Sequence, residues 1–148
     1  MSAKVINLTI EKLIRDWLNG EEYTFALNFY TGTDSGTGGN DPARQLPCCV
    51  VECESAQERI KGVGLYDIQC SVTVIHSADD TLRTSHEIAC GEVLDYLTNQ
   101  DGIDLFNQTV AAHIYDIFPA QIQTGRDGRN WTATMSLQMA ASLSNLGV

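Results

Sequence analysis

Asn130-Trp131-Thr132-Ala133-Thr134-Met135-Ser136-Leu137-Gln138-Met139-Ala140-Ala141-Ser142-Leu143 sets apolar residues at nearly every odd position and polar ones at nearly every even position. A period of two marks a long strand with one buried face and one wet face. A further long run near His113 to Thr124 precedes it across the turn-like Gly125-Arg126-Asp127-Gly128. The spacing therefore predicts a β-hairpin over about residues 113–143.

Upstream, Leu65 to His76 repeats the pattern, with Tyr66, Ile68, Cys70, Val72 and Val74 facing one way and Asp67, Gln69, Ser71 and Thr73 the other. Leu46-Pro47 opens another strand, Cys48 to Glu54, and Tyr23, Phe25, Leu27 and Phe29 share one face of a first strand. Two segments show the helical period instead. Ile6, Ile10, Leu13, Ile14 and Trp17 make an apolar stripe stopped by Asn19-Gly20, and Leu82, His86, Ala89, Cys90, Val93 and Leu97 make a second. Asp79-Asp80-Thr81 is expected to cap the second helix, and Asn99-Gln100-Asp101-Gly102 to end it. One or two helical turns around Leu105 to Ala112 complete the order helix, three strands, helix, short helix, two strands. That order predicts an α+β fold: a mainly antiparallel sheet of about five strands with two helices packed on one face.

The 148 residues suffice for one domain with a core of its own. Nine Lys plus Arg stand against nineteen Asp plus Glu, a formal charge of -10, with the acids scattered along the chain. Tight binding to a phosphate backbone needs clustered basic groups and is not expected, whereas an acidic channel would let DNA slide past without holding it. Cys48, Cys49, Cys53, Cys70 and Cys90 show no CxxC spacing, and the chain opens on no long apolar run, so the expectation is reduced thiols in a cytoplasmic setting.

Candidate chemistry is sparse. The Gly-rich loop of residues 32–44 lacks the Lys-Ser/Thr ending of a P-loop, and Asp34 and Asp41 do not fall on a calcium-loop pattern. Cys48, Cys49 and Cys53 with His76 or His86 assemble into a zinc site only on paper, because adjacent strand residues point to opposite faces. Free thiols in a core are the simpler reading. His86 lies on the apolar stripe of its helix and reads as a core histidine, while His76 and His113, at strand ends, read as surface positions. Ser85-His86-Glu87 does not form a nucleophile and base, since helix neighbours diverge by about 100 degrees. Glu52 and Glu54, at alternate positions, read as a wet acidic face. The sequence thus reads as a protein with no catalytic, metal-binding or cofactor-binding residues, working through contacts.

The opening amphipathic helix, the Gly/Pro-containing loop feeding the strand at Leu46-Pro47, the alternating strand Tyr66 to Val74, the helix Leu82 to Leu97, and Trp131 in the final alternating row together resemble the tail terminator, or tail-completion, proteins of long-tailed bacteriophages. The resemblance spans most of the chain as a pattern of elements, without a signature motif. It implies a structural virion protein assembled in the host cytoplasm. It further implies a homohexameric ring that caps the tail tube and joins it to the head-tail connector while DNA passes through. Contacts with sister subunits and neighbours are expected at Gly32, Asp34, Gly38, Asp41 and Arg44 in the loop, at Arg59 and Lys61 in the region 58–64, and at Arg126 and Arg129 in the last turn. The runners-up are another neck, adaptor or tail-tube subunit, or a small Cys/His metal-binding protein.

Overall fold

A computed structural model describes residues 6–32, 45–59, 64–109 and 112–142. The fold is α+β. In chain order it runs α1 (Ile6–Asn19), β1 (Asn28–Thr31), β2 (Cys48–Glu58), β3 (Tyr66–Ser77), α2 (Arg83–Thr98), α3 (Gln100–Thr109), β4 (His113–Asp127) and β5 (Asn130–Ser142). The strands form one mixed sheet in the order β1-β2-β3-β5-β4. β1 runs parallel to β2, and the other neighbours are antiparallel.

The alternating rows set the layers. Cys70 lies opposite Leu137, Val72 opposite Met135 and Val74 opposite Ala133, all buried on one face. Cys49, Val51 and Cys53 of β2 extend that face across Val74, Val72 and Cys70. Onto it pack Ile6, Ile10, Ile14 and Leu18 of α1, Val93 and Leu97 of α2, and Ile103 and Phe106 of α3, in one continuous core. Full burial of each such aliphatic side chain contributes about 1.5–3 kcal/mol. The other face is polar along the middle of β3 and β5, while Cys48 and Val50 of β2 are buried on it. Gln69 faces Gln138, Ser71 faces Ser136, and the Thr73 and Thr134 hydroxyls are 3.3 Å apart.

Several sequence expectations need correction. Only Asn28–Thr31 pairs as the first strand; Tyr23 to Leu27 is irregular chain. The Tyr23 hydroxyl donates to the Leu18 carbonyl and its ring packs on Phe29 and Tyr96, so the alternation there reports ring packing and not a ladder. The short helix expected around Leu105 to Ala112 is a full one that begins at Gln100, so α3 joins α1 and α2 on the covered face. It begins there because Asn99 starts α3 as well as ending α2: its Oδ1 accepts from the Asp101 and Gly102 N–H groups. Asp79-Asp80 does not cap α2, whose N-cap is Leu82 without a side-chain bond. Asp79 turns instead toward Arg129, Nη1 to Oδ2 3.9 Å. The hairpin reverses at Gly128-Arg129, with Asp127 opposite Asn130 and Gly128 at φ 59°, the Gly-first arrangement of a two-residue hairpin loop.

Candidate functional site

β4 is the long edge strand of the sheet as described. No described strand pairs with the outer edge of β4. Where β4 begins, α3 closes that edge: Asn107 Oδ1 accepts from the Ile114 N–H at 2.7 Å, and Asn107 Nδ2 donates to the Ile114 carbonyl at 2.8 Å. One side chain thus stands in for a neighbouring strand. Two bulges follow, between Ile114 and Asp116 and between Pro119 and Gln121. Pro119 brings no N–H to the ladder, and both devices blunt an edge. Strand addition is thereby confined to Gln121–Asp127.

The bulges also decide what this side presents. Phe118, opposite Gln138, stands on the polar face and is 57 % exposed, while Ile122, opposite the buried Met135, is 51 % exposed. Tyr115, the extra residue of the first bulge, is exposed as well. Phe118 and Ile122 thus project to opposite faces of the sheet from the same edge strand, each leaving a large apolar side chain in solvent. The sequence reading missed them because the bulges break the alternation of the strand. The signal was available in Phe118-Pro119, where proline beside an aromatic in a strand pattern marks an irregular edge.

Of the residues predicted for contact, Arg126 and Arg129 lie at the far end of this hairpin. The Arg126 guanidinium stacks 5.2 Å from the Trp131 ring centroid, and its Nε donates to the Gly128 carbonyl. Arg129 is 85 % exposed beside Asp79. Arg59 lies elsewhere, on the β2–β3 side, where it pairs with Asp67 through both Nε and Nη2 and holds that carboxyl below its usual range. Gly32 donates its N–H to the Val51 carbonyl at the end of β1, under the Glu52 side chain. Arg126 and Arg129 thus share the hairpin end, each with its own partner, while Arg59 and Gly32 lie at other ends of the sheet. Asp34, Gly38, Asp41, Arg44 and Lys61 lie outside the described residues.

A second cluster sits under α2. His76 is not at the surface: it is 2 % exposed, and its Nδ1 lies 2.7 Å from Nδ1 of the equally buried His86, the rings edge to face. The end of β3 runs beneath α2, and that cover is what buries the ring. Burial, then the facing His86, pushes His76 down to about 4, and burial lowers His86 against the opposing effect of its bond to the Thr132 backbone. Both rings are therefore neutral near pH 7, one donating and one accepting. Among the described residues His76 Nε2 has no hydrogen-bond partner. Cys90 Sγ lies 3.7 Å from His86 Nε2, and burial pushes this thiol up to about 11, which leaves it un-ionised and a poor nucleophile. A cleft of about 360 Å³ opens beside this cluster between α2 and the hairpin, bounded by Arg83, Glu87, Cys90, Arg126 and Trp131. No group of three or more His, Cys, Asp or Glu side chains among the described residues is arranged to hold a metal ion. No described helix is long and apolar enough to cross a membrane.

A search of protein-family models and of curated protein sequences finds no match to this chain.

Proposed function

We propose that this protein is a structural ring subunit of a long-tailed bacteriophage virion, terminating the tail tube and joining it to the head-tail connector. The observation that carries the reading is the outer side of β4: an open stretch of strand at Gln121–Asp127 with Ile122 exposed on it, Phe118 exposed on the opposite face just before it, and Arg126 and Arg129 at its end. Ring closure requires a surface on each subunit that meets a different surface on the next. An edge strand supplies backbone donors and acceptors for that meeting, the two apolar side chains supply area, and the arginines supply charge for a chain that is otherwise acidic. The net charge of -10 suits a lumen through which DNA passes without being held.

Native mass spectrometry across a concentration series tests the reading. A closed hexamer is the expected species, and Ile122→Lys together with Phe118→Ser should shift it to monomer while leaving the circular dichroism unchanged. Open tubes in place of rings would assign the chain to the tail tube. A monomer at every concentration, including in the presence of purified tail tubes, would sink the proposal. Charge reversal of Arg126 and Arg129 probes the ion-pair part separately, where each exposed pair is worth at most about 1 kcal/mol.

A further inference from the structure

We propose that Cys53 and Cys70 form a modification site: a low-molecular-weight disulfide of the glutathione type converts these two thiols into a cross-strand bridge between β2 and β3. The inference rests on backbone geometry and does not depend on the ring reading.

The two residues are register partners, and their Sγ atoms are 3.0 Å apart. The hydrogen bonding of β2 shows which kind of pair they make. The Gly32 N–H donates to the Val51 carbonyl, so the polar backbone groups of Val51 point toward β1 and away from β3. Those of Cys53, two residues on, point the same way, but β1 has ended. Two side chains of α1 take its place. The Cys53 N–H donates to Glu11 Oε1 at 2.9 Å, and Asn7 Nδ2 donates to the Cys53 carbonyl at 3.0 Å.

Cys53 and Cys70 are therefore a non-hydrogen-bonded antiparallel pair, the kind whose Cα atoms lie about 4.5 Å apart with side chains closest. A disulfide spans Cα separations of about 4.4–6.8 Å, and closing the bond requires the sulfurs to approach by about 1 Å. The bulge between Cys53 and Ser55 lies immediately beyond, where a strand bends most readily. No other cysteine is placed this way. Cys48 and Cys49 are strand neighbours on opposite faces, and Cys90 contacts His86 on α2.

The chemistry balances in two exchanges. One thiol, as thiolate, attacks the small disulfide, forming a protein mixed disulfide and releasing one small thiol. The second thiol then attacks the protein sulfur of that adduct, forming the Cys53–Cys70 bond and releasing the other small thiol. Two electrons pass from the protein to the oxidant, and the two protons leave on the released thiols. Both sulfurs are buried, and their mutual contact and burial push the Cys53 thiol up, so the first exchange is slow and proceeds when β2 opens at the bulge. Glu54, Ser55 and Gln57, just past that point, lie toward the open end of the strand, where Glu54 and Ser55 are already exposed.

The test treats the reduced, folded wild-type chain with oxidised glutathione and follows it by thiol titration in denaturant, intact mass and a non-reducing peptide map. Titratable thiols should fall from five to three, the mass should drop by two hydrogens, and the map should hold one linked species joining Cys53 to Cys70. The thermal midpoint should rise and return with reductant. A link through Cys48, Cys49 or Cys90, a persistent glutathione adduct, or five unmodified thiols after equilibration would each overturn the proposal. The wild-type map alone decides the outcome, so no cysteine variant has to fold.

Discussion

Lowering the pH from about 7 to about 4.5 should destabilise this protein through the buried His76–His86 pair. Above the ordinary histidine value of 6.5, native and unfolded chains both hold neutral rings, and the pair contributes no pH dependence. Below it the unfolded chain takes up a proton at each histidine while native His76, depressed to about 4, does not. The unfolded state then binds more protons, so stability falls with falling pH, and the loss is complete once pH passes the folded value. At about 1.4 kcal/mol per unit, the interval between 6.5 and about 4 amounts to about 3 kcal/mol from His76. His86 is displaced in the same direction. Against a typical total of about 5–15 kcal/mol, that is a large share.

The neighbours of His86 pull both ways, and burial sets the sign. Glu87 on α2 favours a charged His86 and Arg83 opposes it, while protonation of either ring faces the other at 2.7 Å. The Arg59–Asp67 pair, also acid-sensitive, acts in a lower window: its depressed carboxyl loses its contribution only as pH falls below 3.8. Urea unfolding followed by circular dichroism at several pH values between about 7 and 4.5 measures the effect. His76→Phe keeps the ring-sized bulk without a titrating nitrogen, so it should be weaker near pH 7 yet show a shallower pH slope. A stability that stays flat from 6.5 to 4.5, or an undiminished slope in His76→Phe, would contradict this account.

Other consequences of the fold are open to the same assay. Glu11→Ala leaves the Cys53 N–H without its acceptor in a buried setting and should cost about 1–3 kcal/mol at neutral pH, with Glu11→Gln costing less because an amide oxygen still accepts. Asn107→Ala removes both bonds to Ile114 and should likewise cost about 1–3 kcal/mol, with amide exchange accelerating at the start of β4 and not in β3. Gly128→Ala forces a side chain into φ 59° at the hairpin loop and should lower stability by about 1 kcal/mol, read as a shift in urea midpoint with an unchanged m-value.

The parts of this fold that were legible in the sequence are those with one covered and one wet face. Val72, Val74, Met135 and Leu137 fall where the alternation puts them, and Ile6, Ile10 and Ile14 lie on the predicted helical stripe. What escaped depends on partners far along the chain. Glu11 reads as a polar helix residue, and its burial is explained only by the Cys53 backbone that it meets across 42 positions. His76 reads as a strand end, and only the placement of α2 over β3 makes it a core residue. Asn99 carries a stop signal and a start signal in one side chain, and a stop was the simpler reading. For the candidate surface, Arg126 and Arg129 were visible as rare positive charges, whereas Phe118 and Ile122 were hidden by two bulges that no periodicity predicts.

The two edges of the sheet are treated differently, and the contrast bears on what the protein does. On the β2 side, β1 is only four residues long, and the backbone beyond it is satisfied by Asn7 and Glu11. On the β4 side, Asn107 satisfies Ile114 in the same manner at the start of the strand. Side chains of helices thus close each edge where the helices reach. Past Pro119 none of these helix contacts continues, and Ile122 stands exposed opposite a core position. Water can satisfy the backbone of such an edge, and Pro119 with the bulges guards against indiscriminate pairing. Neither accounts for an isoleucine and a phenylalanine held in solvent, where polar residues would serve solubility better. In the proposed ring, a partner adding to the short Gln121–Asp127 stretch would cover Ile122, and Phe118, before Pro119 and on the opposite face, would have to meet it by a separate contact. That requirement selects a partner of fixed geometry, as a sister subunit in a closed ring would be. The register says which backbone groups it would meet. Asp127 and Asn130 flank a two-residue loop and so bond to each other, which turns Gly125 and Gln123 toward β5 and Thr124 and Ile122 outward. Thr124→Pro therefore removes a donor from the open edge and none from the hairpin ladder, and in native mass spectrometry it should abolish assembly while the monomer keeps its circular dichroism. A Thr124→Pro chain that still closed into rings would show that the partner does not add to this edge as a strand.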